Sequence, residues 1–205
     1  MSRLIKIGLN YRSSIKRLRG CCSEVDRLLA QNRIKCSHCE LIYESAFVSA
    51  IARFEGLLNE LLKEFVCGPS STQTGCYSLI RPRSRNVFRP ILTGGRQYVD
   101  LMPFRDCVKV AKRFLNEGKP FSDIDESDRN ILAQAVLVRN AIAHRNDAAM
   151  KTFRTEVNGV NLLTSSRQFP GSYLRRVYRS HPTQTWNDLY FDTFEKVGVL
   201  LTLLW

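Results

Sequence analysis

The chain has 205 residues, with 31 lysines and arginines against 19 acidic residues, and its formal net charge is +12. Hydrophobic residues make up 44% of the sequence, so a packed core can form and a wholly disordered chain is excluded. Because charges are costly to bury, the basic surplus belongs on the surface, where it attracts nucleic acid, an acidic membrane surface or an acidic protein.

Cysteine usage and hydropathy indicate a compartment. The seven cysteines are an odd number, and the first ten residues hold no apolar run typical of a signal peptide. No stretch of the sequence is long and apolar enough to cross a membrane. We therefore expect a cytoplasmic protein with free thiols and no membrane partner.

Apolar residues at helical spacing predict a helix over residues 2–32, disturbed at Gly8 and Gly20. The clearest helix covers residues 39–66 and ends before Gly68 and Pro69. Residues 67–102 are rich in Gly, Pro, Ser and Arg. We interpret them as an insertion between core helices, a loop or a small hairpin that pairs residues 77–80 with residues 97–101.

Helices resume after this segment. Pro103 suits the first turn of a helix, and the acids and serine of residues 122–130 favour the start of another. Residues 148–158 can add a turn or more, residues 164–184 are polar and basic and predict a loop, and a last helix begins near Thr185. Together, these elements predict a single all-α domain over residues 1–205. Its fold is an up-and-down helical bundle with the insertion at residues 67–102.

A polar motif ends the helix that precedes residue 145. Arg139, Asn140 and His144 follow an apolar run, and Asn140 and His144, four residues apart, share one helix face. A histidine can move a proton near neutral pH, and an arginine binds phosphate with two parallel hydrogen bonds. This set suits metal-free cleavage of RNA, in which a base activates the 2′-hydroxyl and a cation stabilises the phosphate oxygens. A capped, solvated helix end is the plainer interpretation.

The motif "RNAIAH" resembles the Arg-X4–6-His signature of the HEPN superfamily, and "ESAFVSAIARFEGLLNELLKEF" is similar to the long early helix of its RiboL-PSP-HEPN and MAE-type groups. The resemblance implies a HEPN-like all-α domain, a homodimer and a metal-independent endoribonuclease that needs no cofactor. Arg139 and His144 would be catalytic, with Asn140 in support. Many relatives belong to toxin–antitoxin or antiviral defence systems, which implies an antitoxin or regulatory protein as a further partner. A non-catalytic HEPN module that binds nucleic acid or protein is the alternative.

Other side chains extend this hypothesis. Glu55 is an acid in an apolar stretch that could pair with Arg139 or orient His144, and an exposed helix position is the plainer interpretation. RNA-binding cations are predicted among arginines interleaved with the aromatic residues Phe88, Tyr173 and Tyr178, on which bases could stack. A solvated basic loop is the competing interpretation. The candidate arginines are Arg81, Arg83, Arg85, Arg145, Arg175 and Arg176.

A small Cys/His cluster offers a third interpretation. Cys36, His38 and Cys39 are zinc-type ligands at a predicted helix start, with Cys21 and Cys22 nearby in the sequence. Their spacing matches no common zinc motif, and thiols buried as small apolar groups are frequent, so no metal is predicted. A zinc-stabilised nucleic-acid adaptor stays open as the weakest alternative.

Overall fold

Helices dominate the computed structural model of the chain, which describes residues 3–68, 76–80, 82, 84–93, 100–158 and 168–203. The long helices are α1 (Arg3–Ala30), α2 (Cys36–Cys67), α5 (Glu126–His144) and α8 (Trp186–Leu203). Shorter helices are α3 (Arg85–Thr93), α4 (Phe104–Phe114), α6 (Asp147–Thr152) and α7 (Pro170–Leu174). An antiparallel pair of strands, β1 (Val177–Tyr178) and β2 (His181–Thr185), precedes α8. The predicted all-α helical bundle is confirmed.

Local sequence explains where the long helices begin and end. Asn32 adopts a left-handed conformation with φ 56° after α1, and the next amide, Arg33 N–H, donates to the Leu28 carbonyl at 2.9 Å. This is the Schellman arrangement, for which Asn is suited. At the start of α8, Thr185 and Asp188 form a reciprocal capping box, since the Thr185 N–H donates to Asp188 Oδ2 at 2.9 Å and the Asp188 N–H donates to Thr185 Oγ1 at 3.2 Å.

Two compact units divide the chain. The first unit comprises Met1–Arg12, Phe54–Ala133 and Lys196–Trp205. Its core is mostly apolar, with ring contacts between Phe54 and Phe104 and between Phe65 and Phe121. Gly8 permits a close approach of α1 to α8, because a Cβ at this position would lie 2.9 Å from Thr202 Oγ1. The helix α1 therefore continues through Gly8 without the predicted disturbance, and it also continues through Gly20.

The second unit comprises Ser13–Arg53 and Gln134–Glu195. Its core includes Phe47 and Phe194, whose ring centroids are 6.4 Å apart. Tyr173 stacks on Trp186 with a centroid separation of 5.0 Å, and the hydroxyls of Tyr173 and Tyr190 are hydrogen-bonded at 3.0 Å. Buried aromatic residues with polar ends need such partners. The second unit therefore mixes polar contacts into its core.

Two short regions differ from the sequence predictions. The helix α3 lies within residues 67–102, where only a loop or hairpin was predicted. Ser78 forms an isolated bridge with Leu115, while residues 97–99 of the predicted hairpin lie outside the described residues. The predicted loop at residues 164–184 holds α7 and the β1–β2 hairpin in its described part. Among the helices that the structure describes, none has the length and hydropathy to cross a membrane.

Candidate active site at the end of α5

The last three turns of α5 bury one face and expose another. Ala135, Val138 and Ala141 are fully buried at a spacing of three residues, which fixes this face against the core of the second unit. Arg139 and Asn140 lie at its edge and are half-buried, while His144 is exposed. The predicted catalytic residues are thus held on a rigid helix, with the imidazole open to solvent.

Arg145 closes the helix in a conformation that is rare for its residue type. Its φ is 48°, in the left-handed region, and its N–H donates to the Ala141 carbonyl at 3.2 Å. A side chain other than Gly or Asn at such a cap costs about 1–2 kcal/mol. Asn146 follows as the N-cap of α6, with Oδ1 accepting the Ala149 N–H at 2.8 Å. Non-glycine residues with a left-handed backbone conformation cluster at functional sites. An arginine at this position therefore indicates a functional role for its guanidinium.

A buried glutamate holds Arg145 in place. Arg145 Nη2 donates to Glu44 Oε2 at 2.6 Å, and the Gly171 N–H donates to Glu44 Oε1 at 3.0 Å. Glu44 is 8% exposed, whereas the Arg145 side chain is 64% exposed. One carboxylate therefore joins α2, the end of α5 and the start of α7, and it fixes a cation that still faces solvent.

A cleft of about 640 Å³ in the second unit opens beside this ion pair. Its polar wall carries two guanidinium groups, one imidazole and three carboxylates, and its apolar wall includes the half-exposed ring of Phe169. Carboxylates outnumber guanidinium groups in this lining, and the Arg145 guanidinium is paired with Glu44. The lining residues are Ser37, His38, Glu40, Leu41, Glu44, Ala141, Arg145, Asp147, Met150, Arg154, Phe169 and Pro170.

The motif residues and this cleft are neighbours along α5 without coinciding. Ala141 and Arg145 line the cleft, and Arg139, Asn140 and His144 do not. Arg139 and His144 are five residues apart on one helix, about 140° around its axis. Within one chain the helix alone does not point both side chains in the same direction. The sequence prediction that a second copy completes the site stays a prediction.

The other predicted site residues have varied surroundings. Glu55 is half-buried on α2 in the first unit, and its predicted supporting role stays a prediction. Arg175 Nη1 contacts Cys36 Sγ at 3.3 Å and its Nη2 lies 3.5 Å from Asp26 Oδ1. Arg176 lies over the Tyr173 ring at 5.0 Å and donates to Asn158 Oδ1. Both guanidinium groups thus have intramolecular contacts.

Two of the three proposed stacking residues are unsuitable. Phe88 and Tyr173 are each 1% exposed, so the prediction that bases stack on these rings is wrong. Phe88 packs against Phe114, and Tyr173 packs against Trp186. Both rings are therefore part of the core, although they lie in basic segments of the sequence. Arg81 and Arg83 lie outside the described residues, and Arg85 begins α3 with a side chain that is not described.

The Cys/His cluster does not converge on one point. His38 lines the cleft, while Cys39 is fully buried and its thiol donates to Asp26 Oδ1 at 3.6 Å. Across the described parts of the chain, no group of three or more His, Cys, Asp or Glu side chains has the geometry to hold a metal ion. No metal ligand set is therefore assigned.

Sequence reasoning missed Glu44 and Arg154 as parts of a site, and it named His38 only as a possible zinc ligand. For Glu44 a signal existed, because it occupies the buried series of α2 that continues through Phe47, Ile51 and Phe54 at steps of three and four residues. An acid on an apolar helix face needs a buried partner. Arg154 gave no such signal, because it joins the cleft only through the fold.

The fold and the site define an all-α chain in which a polar helix end adjoins a charged cleft. Comparisons with protein-family models, with curated proteins and with solved structures give no match for this chain. Function is therefore argued from the site itself.

Proposed function

We propose that the chain is a HEPN-type, metal-independent endoribonuclease that works as a homodimer. The observation that carries the proposal is the end of α5. His144 is exposed at the last helical residue, Arg139 lies on the same helix, and the left-handed Arg145 is tied to the buried Glu44. The formal net charge of +12 adds a general attraction to RNA.

The chemistry follows from the side chains. His144 acts as general base or general acid, removing the proton of a 2′-hydroxyl or supplying one to the departing 5′-oxygen. Arg139 stabilises the negative charge that builds on the oxygens of the attacked phosphate, and Asn140 supports either group. The products are an RNA with a 2′,3′-cyclic phosphate and an RNA with a 5′-hydroxyl. In a homodimer, the motif of each subunit supplies part of one site.

RNA reaches this helix end through nearby cations. Arg154 and the solvent-exposed part of Arg145 are the cations of this cleft that phosphate would contact, against the opposing charge of three carboxylates, and the exposed face of Phe169 offers a surface for a base. Such an endoribonuclease suits a toxin–antitoxin or antiviral defence system, with an antitoxin or regulatory protein as partner. A cytoplasmic location agrees with this role.

The test is cleavage of end-labelled tRNA and total RNA in the presence of EDTA. We expect His144→Ala and Arg139→Ala to lower the cleavage rate by about 10²–10⁴-fold, because each removes a group needed in the transition state. His181→Ala is the matched control, since His181 is also exposed but lies on β2. The ends of the products should be 2′,3′-cyclic phosphates.

Other outcomes discriminate between functions. Cleavage that survives in His144→Ala would contradict the assigned role of the imidazole. Absence of cleavage together with tight binding that weakens steeply with salt would instead support the non-catalytic module. Light scattering on the same samples measures the oligomeric state, and a monomer that cleaves RNA would contradict the shared site.

A further inference from the structure

The first turn of α2 carries two cysteines with opposite environments. Cys36 is the first residue of the helix and is exposed, whereas Cys39, three residues later, is fully buried. Side chains three residues apart on a helix are neighbours, with Cβ atoms about 5–6 Å apart. Cα atoms three residues apart on an α-helix are about 5 Å apart, within the range of about 4.4–6.8 Å that disulfides join, and the Cβ atoms must approach to about 3.5–4.5 Å for the bond to form.

A cation and a helix end surround the exposed sulfur. Arg175 Nη1 donates to Cys36 Sγ at 3.3 Å. Cys36 also begins a helix of 32 residues, whose first turn carries a partial positive charge. Both features favour negative charge on this sulfur, whereas the Glu40 carboxylate, whose Oε1 accepts from Cys36 Sγ at 3.7 Å, opposes it. The thiolate is the nucleophile in cysteine chemistry.

The buried sulfur is suited to a different step. Burial raises the pKa of Cys39 to about 11, so this group stays a protonated thiol at neutral pH. Its S–H donates to Asp26 Oδ1 at 3.6 Å, and Asp26 also accepts a hydrogen bond from Tyr43 and lies 3.5 Å from Arg175 Nη2. A carboxylate is therefore in place to accept the Cys39 proton. Cys39 is fully buried, so solvent and external reagents do not reach it.

From this arrangement we propose that Cys36 and Cys39 form a dithiol–disulfide site that reacts with low-molecular-weight disulfides of the glutathione type. The Cys36 thiolate attacks one sulfur of oxidised glutathione, so a Cys36–glutathione bond forms and one glutathione thiolate leaves. Cys39 then passes its proton to Asp26 and attacks Cys36 Sγ, which releases the second glutathione thiolate. The protein dithiol loses two electrons, and one disulfide reagent becomes two thiols.

The first experiment measures alkylation of the reduced, full-length protein by iodoacetamide under native conditions. We expect Cys36 to react on the order of tenfold faster than Cys21, which is also exposed but lies in the interior of α1. Arg175→Gln should remove most of this advantage, and Arg175→Lys should keep part of it. Equal rates at Cys36 and Cys21 in the unaltered protein would overturn the proposal without recourse to any variant.

The second experiment treats the reduced protein with oxidised glutathione and maps tryptic peptides by mass. Residues 36–53 contain no internal Lys or Arg, so Cys36 and Cys39 fall in one peptide, while Cys21 and Cys22 fall in residues 20–27. We expect the peptide 36–53 to lose two hydrogens. In Cys39→Ser the same peptide should carry one glutathione, and in Cys36→Ser it should carry neither change.

The outcomes separate a dithiol from an ordinary surface thiol. Stable glutathione on Cys36 of the unaltered protein, with no internal disulfide, would refute the role of Cys39. Oxidation that falls equally on residues 20–27 would refute the role of Arg175 and the helix end. Circular dichroism of Cys39→Ser shows whether this buried substitution leaves the protein folded, and Cys39→Ala serves as the second variant.

Discussion

The two units of the chain are stabilised by different contacts. In the first unit, most buried side chains are apolar, with Glu64, Asp128 and Thr202 as the buried polar ones among the described residues. Phe54 packs against Phe104 and Phe65 against Phe121, in tilted and edge-on geometry. Asp128, a buried acid of this unit, lies 2.7 Å from Lys196 Nζ. Packing of hydrocarbon therefore accounts for most of the stability of this unit.

In the second unit, polar groups are built into the core as connected sets. Glu44 binds Arg145 and the Gly171 amide, and Tyr190 contacts Tyr173 and donates to Gln134 Oε1 at 2.9 Å. Buried polar sets rigidify a site only when their members are satisfied. This difference in polar contacts indicates which unit holds the candidate functional sites. The candidate active site and the dithiol both lie in the second unit, where charged side chains are held in fixed positions.

The largest effect tests the apolar nature of the first unit. Phe54→Ala should lower the free energy of unfolding by about 3–5 kcal/mol, because it removes a fully buried ring that contacts Tyr11 and Phe104. Phe169→Ala is the control in the second unit, since Phe169 is 50% exposed, and it should change stability by no more than about 0.5 kcal/mol. Urea unfolding measures both. Equal losses of unfolding free energy in the two variants would contradict the comparison between the two units.

An intermediate effect tests the polar network of the second unit. Glu44→Leu should cost about 1–3 kcal/mol, because the buried Gly171 N–H loses its acceptor and Arg145 loses its partner. Glu44→Gln should cost less, since its amide oxygen can still accept the Gly171 N–H. The matched control is Glu40→Gln, one turn earlier on α2, where the carboxylate contacts only a thiol among the described contacts, at 3.7 Å.

A functional measurement on the same variants sharpens the result. If the Glu44 network positions Arg145 for RNA, Glu44→Gln should weaken RNA binding more than Glu40→Gln does, although both remove one negative charge. A gain in affinity of equal size in the two variants would mean that only net charge matters, and the network would then be structural.

The sequence predicted the long helices because their apolar residues recur over many turns. The helix predicted at residues 39–66 is α2 (Cys36–Cys67), and the last helix begins at Trp186, next to the predicted Thr185. Short elements were missed for a physical reason. The helix α3 has nine residues, too few to be stable alone, and Phe88 joins it to the core through Phe114. Tertiary contact, not local periodicity, determines such a segment.

The candidate site, like the helices, was predicted where the signal is local and missed where it depends on tertiary contacts. The end of α5 at His144 was recognisable from adjacent residues, because an apolar run turns into a polar motif. The left-handed Arg145 was not, since this conformation is normally left to Gly or Asn. The contact between Glu44 and Arg145 joins residues 101 positions apart, and Phe169 lines the same cleft from a third stretch of chain. The spacing of residues along the sequence does not predict contacts between such distant positions.

The smallest effect should be the same in both units, because it depends only on the backbone. Gly20 and Gly56 are exposed glycines inside α1 and α2, and a Cβ at either would meet no atom within 4 Å. Gly20 belongs to the second unit and Gly56 to the first. Each change to Ala should stabilise the protein by about 0.5–1 kcal/mol, because Ala loses less backbone entropy in a helix.

Gly198→Ala is the control for this pair, since its Cβ would lie 2.8 Å from the Tyr11 ring and overpacking should offset any gain in helix propensity. Thermal and urea unfolding of the three variants measure the difference. A gain at Gly56 without a gain at Gly20 would mean that local helix propensity acts differently in the two units. The contrast between them would then extend from side-chain contacts to the backbone itself.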